Sequence, residues 1–231
     1  MFMENKKKKL NKVCIYCGKP ATRRGDHIPS KNLFKGIGLT PVIVPSCTSC
    51  NKGFSGDEEY FRHIVCMICA EHSFTANYIF ETAVKRSMSA RPALGLYMLS
   101  KMVVVDLYSP NKIFLGKRTK YDLDEKDHER IFRVIDKYVK GLFFHEYGYV
   151  IPSSYKIKNF WITNKLEKTL EENISNYNVK MIKEEIFSYG YNKIPDQADS
   201  IWAFAFYGKP LFMSFVVPTS KYEEMEKLHA K

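Results

Sequence analysis

The chain has 231 residues, 45% of them hydrophobic, and a formal net charge of +11 at pH 7. This length and composition predict a globular protein of one or two domains that can bury a sizeable core. The sequence has no run of about 18 apolar residues that would span a membrane. The N-terminal stretch MFMENKKKKLNK lacks the apolar segment of a secretory signal. We therefore expect a cytoplasmic protein without a membrane partner.

The positive charge is concentrated near the N-terminus. Residues 1–52 hold eleven lysines and arginines against Glu4 and Asp26, so a net charge of +9 lies there and +2 in the rest of the chain. A basic surface of this kind favours a polyphosphate partner. The lysine run at 6–9 taken alone also fits a solubilising tail or a nuclear-import patch. A solubilising tail explains less well the basic residues close to Asp26, namely Arg23, Arg24, Lys31 and Lys35.

The six cysteines form three Cys-x-x-Cys pairs. In a chain without an export signal, this spacing favours metal binding over disulfides and predicts a reducing compartment. Four thiolates from the first two pairs can close a tetrahedral zinc site, formed by Cys14, Cys17, Cys47 and Cys50. The site can be purely structural, as in treble-clef binding modules, or can support chemistry nearby.

The third pair differs from the first two in its surroundings. Cys66 and Cys69 lie in the apolar run IVCMICA, in the middle of a predicted helix. We interpret both as buried small hydrophobic residues.

An Asp26-His27 dipeptide lies between the two zinc-binding pairs, and Asn51 directly follows the second pair. We expect a short β-hairpin to carry Asp26 and His27, and a helix starting at the second pair to bring Asn51 opposite them. Neighbouring strand residues point to opposite faces, so a bulge or a strand end is expected at this dipeptide. Pro29, just downstream, favours such an irregularity.

The order Cys-x-x-Cys, Asp-His, Cys-x-x-Cys-Asn resembles the HNH, or ββα-metal (His-Me finger), endonucleases. The similarity is greatest to the members with a zinc-stapled treble clef, such as the phage endonuclease VII family and bacterial HNH endonucleases. The resemblance covers about the first quarter of the chain. It implies that Asp26 and Asn51 hold a catalytic Mg²⁺ or Mn²⁺ and that His27 is the general base.

Two positions depart from the HNH pattern. Val42 stands near the place of the middle asparagine, and Asn51-Lys52 stands where a histidine would follow the last cysteine. A third protein ligand for the cation is therefore missing from the motif. The acids at 57–59 lie close enough in sequence to supply one, although acids at a helix start are also favoured simply by the helix dipole.

The chemistry explains the choice of residue types. A neutral imidazole with a pKa near 7 is suited to deprotonating the attacking water, which is the role expected of His27. A hard cation held by carboxylate and amide oxygens, here from Asp26 and Asn51, stabilises the charge that develops on the phosphate. The alternatives are a satisfied turn histidine at His27 and a helix-capping role for Asn51.

The rest of the chain predicts an α+β fold. Helical patterns cover 55–71, 75–89, 93–102, 127–146 and 164–175, and two strands flank a Ser-Pro-Asn-Lys turn in MVVVDLYSPNKIFLG. Further strands are predicted in YGYVIP, YKIKNFWI, VKMIKEEIFSYGY and the hairpin SIWAFAFYGKPLFMSFVV. We assign residues 1–72 to an HNH module with structural zinc and 73–231 to an α+β accessory domain.

Aromatic residues are dense in the predicted accessory domain, and they have two interpretations. They can stack on bases, but alternation along strands makes half of them ordinary core residues. The set comprises Phe160, Trp161, Phe187, Tyr189, Trp202, Phe204, Phe206 and Tyr207. The dipeptide His145-Glu146 is interpreted as a helix end rather than as a second active site.

Together these features predict a metal-dependent HNH endonuclease that hydrolyses double-stranded DNA, in phage defence or restriction. Its cofactors are a structural Zn²⁺ and a catalytic Mg²⁺ or Mn²⁺. Nucleic acid is expected to contact Arg23, Arg24, Lys31, Lys35 and Lys52, and the accessory domain to position substrate or bind a protein partner. The alternatives are a non-catalytic treble-clef module that binds nucleic acid or protein, and a nuclease directed at RNA.

Overall fold

The structure is a computed structural model that describes residues 13–22, 25–38, 40–162, 164–183 and 185–229. Helices and antiparallel strands make up most of this part of the chain, which confirms the predicted α+β class. No helix within it is long and apolar enough to cross a membrane.

The N-terminal region is built on a small hairpin followed by two helices. Strands β1 (Asp26–Ile28) and β2 (Val42–Val44) pair antiparallel, with a 3₁₀ turn at Lys31–Phe34 between them. Helix α1 (Thr48–Gly53) begins at the second cysteine pair, and α2 (Ser55–Cys69) follows. The predicted hairpin and both helix starts are confirmed.

Helices and a protruding hairpin follow. Helices α3 (Phe74–Ile79) and α4 (Lys85–Ala90) are joined by a π-helical segment, and α5 (Pro92–Ser100) comes next. Strands β3 (Met102–Tyr108) and β4 (Phe114–Tyr121) pair antiparallel across the predicted turn. Met102 thus belongs to a strand rather than to the helix predicted over 93–102.

Helix α6 (Glu125–Tyr147) runs through the middle of the molecule. It starts two residues before the predicted position because the Asp124 carboxylate caps it, accepting a hydrogen bond from the Asp127 amide at 3.0 Å. It ends at Gly148, whose φ of 77° is the left-handed conformation typical of a glycine after a helix.

The C-terminal half contains a five-stranded antiparallel sheet with the strand order β5-β9-β8-β7-β6. Its members are β5 (Tyr155–Trp161), β6 (Asn178–Lys183), β7 (Phe187–Lys193), β8 (Ser200–Phe206) and β9 (Lys209–Pro218). Strands β8 and β9 turn through Tyr207 and Gly208, both with positive φ, as a two-residue hairpin requires.

Three sequence predictions in this half need correction. The stretch 147–152 is not a strand, because Gly148 ends α6 and Tyr149 packs on Phe143 at a ring distance of 5.1 Å. The single strand predicted in VKMIKEEIFSYGY is the β6–β7 hairpin, in which Glu185 has a φ of 57°. The helix predicted over 164–175 is α7 (Asn164–Glu172), and a 3₁₀ turn stands in place of its last predicted turn. Helix α8 (Thr219–His229) was not predicted.

The sheet and helices α2 and α6 share one hydrophobic core. Phe61 of α2 packs on Phe206 and Phe212 at ring distances of 5.3 and 5.7 Å. The Tyr207 hydroxyl donates to the Leu33 carbonyl at 2.6 Å, which joins the sheet to the N-terminal hairpin connection. The core is therefore continuous across residue 72, where the sequence places a domain boundary; that boundary stays a prediction.

Most of the aromatic residues considered for base stacking belong to this core. Buried rings alternate with more exposed residues along β7 and β8, as expected for strands with one covered face. Six of the eight are buried, namely Phe187, Tyr189, Trp202, Phe204, Phe206 and Tyr207. These rings stabilise the sheet and present no face to a base.

Candidate functional site

The four predicted zinc ligands come together. The Sγ atoms of Cys14, Cys17, Cys47 and Cys50 all lie within 4.8 Å of one another. A tetrahedral zinc ion with Zn–S bonds of about 2.3 Å needs sulfur atoms roughly 3.8 Å apart. In the described part of the chain, these cysteines are the one group of three or more His, Cys, Asp or Glu side chains close enough to hold a metal. The site therefore fits zinc.

Local hydrogen bonds lower the pKa values of two of these thiols. Hydrogen bonds from the Ser49 hydroxyl and the Cys50 amide lower the pKa of Cys47 to about 6. Burial opposes ionisation of Cys14, but hydrogen bonds to backbone amides, including that of Cys47, outweigh it and lower the pKa of Cys14. Thiolates are the form that binds zinc, so both groups favour the metal-bound state.

The third cysteine pair takes no part in this site. Cys66 and Cys69 are fully buried in α2, and burial raises the pKa of Cys66 to about 11 and that of Cys69 to about 12. Their neighbours are the Tyr207 hydroxyl and the Phe206 carbonyl, each 3.6 Å from a sulfur atom. Both cysteines pack as the small hydrophobic residues that the sequence predicted.

Asn51 ties helix α1 to the start of the hairpin. Its Nδ2 donates to the carbonyl of Gly25 at 2.9 Å, directly before Asp26. Its backbone amide donates to the Cys47 carbonyl, so a zinc-site cysteine fixes its position in α1. The structure thus places Asn51 against the residue that directly precedes the Asp-His dipeptide.

Gly25 allows the close approach on which this arrangement depends. Its φ is 61°, and a Cβ built there would lie 2.6 Å from the Val44 carbonyl oxygen. Gly25→Ala is therefore expected to lower the free energy of unfolding by roughly 2–4 kcal/mol, combining the cost of left-handed backbone with overpacking. Urea denaturation measures this loss.

Gly36→Ala is the matched control for Gly25→Ala. Gly36 also has a positive φ, of 86°, but a Cβ there meets nothing within 4 Å. It is expected to lose only the backbone term, about 1–2 kcal/mol. Equal losses in the two variants would contradict the close packing at Gly25.

Asp26 is only 3% exposed, accepts two hydrogen bonds and forms one ion pair. The Tyr16 hydroxyl donates to Oδ2 at 2.9 Å and the His27 amide to Oδ1 at 2.8 Å, while the Lys137 ammonium is paired with Oδ1 at 2.9 Å. The same ammonium forms an ion pair with Glu58. Asp26 thus lies in a buried polar cluster between the hairpin, α2 and α6.

His27 lies on the opposite, open face of the hairpin. It pairs with Ile43, which is 60% exposed, and its own side chain is half-buried. Partial burial and the positive charges of Lys31 and Lys137 lower the pKa of His27, although Asp26 and Glu58 oppose them. The imidazole is therefore neutral at neutral pH, which is the form a general base requires.

The hairpin has no bulge at the Asp-His dipeptide. The register Asp26↔Val44, His27↔Ile43 runs without a shift, so of the two expected irregularities only a strand end is present, with Asp26 as first residue of β1. The Asp26 carboxylate folds back onto the His27 amide. This contact keeps the carboxylate at the His27 backbone although the two side chains leave opposite faces.

Two of the predicted nucleic-acid contacts, Arg23 and Arg24, lie outside the described residues, as does the lysine run at 6–9. The other three, Lys31, Lys35 and Lys52, are exposed. Lys31 lies close enough to His27 to lower its pKa. At least this lysine therefore places positive charge near the imidazole.

Sequence reasoning missed Lys137 and Tyr16, the two side chains that hold Asp26. Lys137 lies on the buried face of α6, between Val134 and Gly141. A lysine within an apolar helical stripe is the signal that could have revealed it, because buried lysines are rare unless they are paired. Its partner is more than a hundred residues away, which no local pattern can show.

Asp26, Asn51 and Glu58 supply oxygen atoms of the kind that the hard cation implied by the resemblance requires. A carboxylate offers about four lone-pair positions, and Asp26 uses three of them. Of the described residues, none donates to Asn51 Oδ1 or to Glu58 Oε2. Carboxylate and amide oxygens are the ligands that Mg²⁺ and Mn²⁺ prefer.

Comparison with known proteins adds no family assignment. The chain matches no protein-family model, no curated protein and no solved structure. The function must therefore be argued from the residues of the site.

Proposed function

We propose that the protein is an HNH-type endonuclease that hydrolyses phosphodiester bonds in DNA. The observation that carries this proposal is the Asn51–Gly25 hydrogen bond, which joins the Asp-His hairpin to a helix anchored by the four-cysteine cluster. A neutral imidazole on the open face of that hairpin supports it. So does the basic charge of residues 1–52.

In this proposal His27 accepts the proton of a water molecule as the water oxygen attacks the phosphorus. Lys31, whose positive charge acts on the imidazole, would attract the scissile phosphate to it. Asp26 and Asn51 are the residues that would hold Mg²⁺ or Mn²⁺. When bound, the cation neutralises charge on the phosphate and on the leaving 3′ oxygen.

A non-catalytic role is the second candidate. The two hydrogen bonds and the ion pair of Asp26 also suit a residue that only fastens the hairpin to α2 and α6. In that case the zinc unit would bind nucleic acid or protein without cleaving it. Binding without cleavage by the zinc-loaded protein would favour this candidate.

The basic residues give a prediction about binding. Replacing Lys31, Lys35 and Lys52 together by glutamine is expected to reduce the slope of log K against log salt by up to about 3, because each phosphate contact contributes about 0.9. Affinity is expected to fall uniformly across DNA sequences, because phosphate contacts carry no sequence information. Fluorescence anisotropy on a labelled duplex at several salt concentrations measures the slope.

A second triple variant removes the same charge elsewhere. Lys126, Lys168 and Lys227 are exposed on α6, α7 and α8. Their replacement by glutamine is expected to leave the slope unchanged within about 1. Similar slopes for the two triple variants would show that the hairpin lysines do not contact phosphate.

The nature of the substrate is tested by direct comparison. The zinc-loaded protein is incubated with duplex DNA, single-stranded DNA and RNA of the same sequence, in Mg²⁺, in Mn²⁺ and in EDTA. Cleavage of duplex DNA in a divalent cation supports the proposal. Cleavage of RNA alone would replace it with an RNA-directed nuclease.

A further inference from the structure

Lys137 is the least expected member of the site. It lies in the middle of α6 and is 1% exposed. Its Nζ is 2.9 Å from Asp26 Oδ1 and 3.5 Å from Ser30 Oγ, and it forms an ion pair with Glu58. One ammonium between two carboxylates leaves one negative charge uncompensated. The cluster therefore attracts a further cation.

The packing of α6 fixes the lysine in this place. Gly141, one turn further along the same face, lets the hairpin lie directly on the helix, since a Cβ there would be 1.7 Å from Ile28 Cδ1. Ser30 bonds to the Tyr138 hydroxyl and to Glu58, at 3.1 and 2.6 Å. The ammonium thus lies between two carboxylates whose backbones are already held together.

The contacts also distinguish the three acids at the start of α2. Asp57 is paired with Arg130 and Arg133 at 3.0 and 2.7 Å. Glu59 is paired with Arg91. Of the three, Glu58 alone is paired with the Lys137 ammonium, which is also paired with Asp26.

We propose that Lys137 is the resident counter-ion of the catalytic cation site. Its ammonium is paired with Asp26 and Glu58, the two carboxylates that would bind a divalent cation in its place. Glu58 thereby supplies the oxygen ligand that the sequence motif lacks. This inference rests on the proposed function, since it concerns the same cation. While no divalent cation is bound, Lys137 compensates part of the charge of the two carboxylates, so it competes with the cation for them.

The test measures Mn²⁺ binding to the zinc-loaded full-length protein without DNA, through the loss of the free Mn²⁺ signal in electron paramagnetic resonance. Lys137→Met removes the competing charge and is expected to lower the Mn²⁺ dissociation constant by about tenfold or more. Glu58→Gln removes a ligand and is expected to raise it by about tenfold or more. Zinc content and circular dichroism of each sample establish that the variants are folded.

Asp57→Asn is the matched control, because it removes a carboxylate one residue away whose partners are arginines of α6. We expect it to change the dissociation constant by less than about threefold. If Lys137→Met fails to fold, the comparison of Glu58→Gln with Asp57→Asn decides the assignment of Glu58. The proposal is overturned if Lys137→Met binds Mn²⁺ as the wild type does, or if Glu58→Gln and Asp57→Asn behave alike.

The result separates this inference from the nuclease proposal. A protein that cleaves DNA but shows no Mn²⁺ binding that depends on Glu58 would overturn the role of the Asp26–Lys137–Glu58 cluster and leave the nuclease assignment standing. Mn²⁺ binding with the predicted variant effects but without cleavage of nucleic acid would support the role of this cluster and overturn the nuclease assignment.

Discussion

Cys47→Ser is expected to release the zinc and unfold the N-terminal region. Cys47 is a member of the four-sulfur cluster and also caps α1, accepting the amide hydrogen bond of Cys50. Structural zinc sites contribute on the order of 10–16 kcal/mol in small peptides, which exceeds the usual net stability of a domain. Elemental analysis and circular dichroism measure the two losses.

Cys66→Ala is the control for this variant. Cys66 is equally inaccessible but contacts only core groups such as the Tyr207 hydroxyl. It is expected to lose some stability through the small cavity and to keep one equivalent of zinc. Zinc retained by Cys47→Ser, or lost from Cys66→Ala, would mean that the metal is bound elsewhere.

His27→Ala is expected to reduce the rate of DNA cleavage by roughly 10²–10⁴, the usual contribution of a general base. Zinc content and DNA affinity are expected to stay near those of the wild type, since the imidazole lies on the open face of the hairpin and no cysteine of the cluster contacts it. Single-turnover kinetics at saturating protein measure the chemical step.

His145→Ala is the matched histidine variant. His145 is exposed near the end of α6, and its sequence neighbour Glu146 is held by Lys180 and two tyrosines. It is expected to cleave at the wild-type rate.

Raised Mn²⁺ is expected to restore part of the activity of Asp26→Ala and none of that of His27→Ala, because only the former acts through the cation. The opposite pattern would exchange the two roles.

Short-range patterns predicted much of the site. The Cys-x-x-Cys spacing predicted the two thiol pairs, and the position of Asn51 directly after Cys50 placed it on the first turns of α1. Such features depend on residues a few positions apart, whose geometry is set by the local backbone. The hairpins β3–β4 and β8–β9 were predicted for the same reason.

Contacts between distant residues could not be predicted in this way. Lys137 and Asp26 meet only because α6 packs on the hairpin, and the choice of Glu58 among three acids depends on where Arg91, Arg130 and Arg133 lie. The strand predicted over 147–152 failed for a related reason. Its alternating residues suit a strand, but Gly148 ends α6 and Tyr149 packs back onto that helix.

Cleavage of supercoiled plasmid by the purified zinc-loaded protein, compared with that by His27→Ala at equal zinc content, tests the central claim most directly. The account predicts nicked or linear product with the wild type in Mg²⁺ or Mn²⁺, none in EDTA, and a rate at least about a hundredfold lower for His27→Ala. Equal cleavage by wild type and His27→Ala, or no cleavage by either, would contradict it.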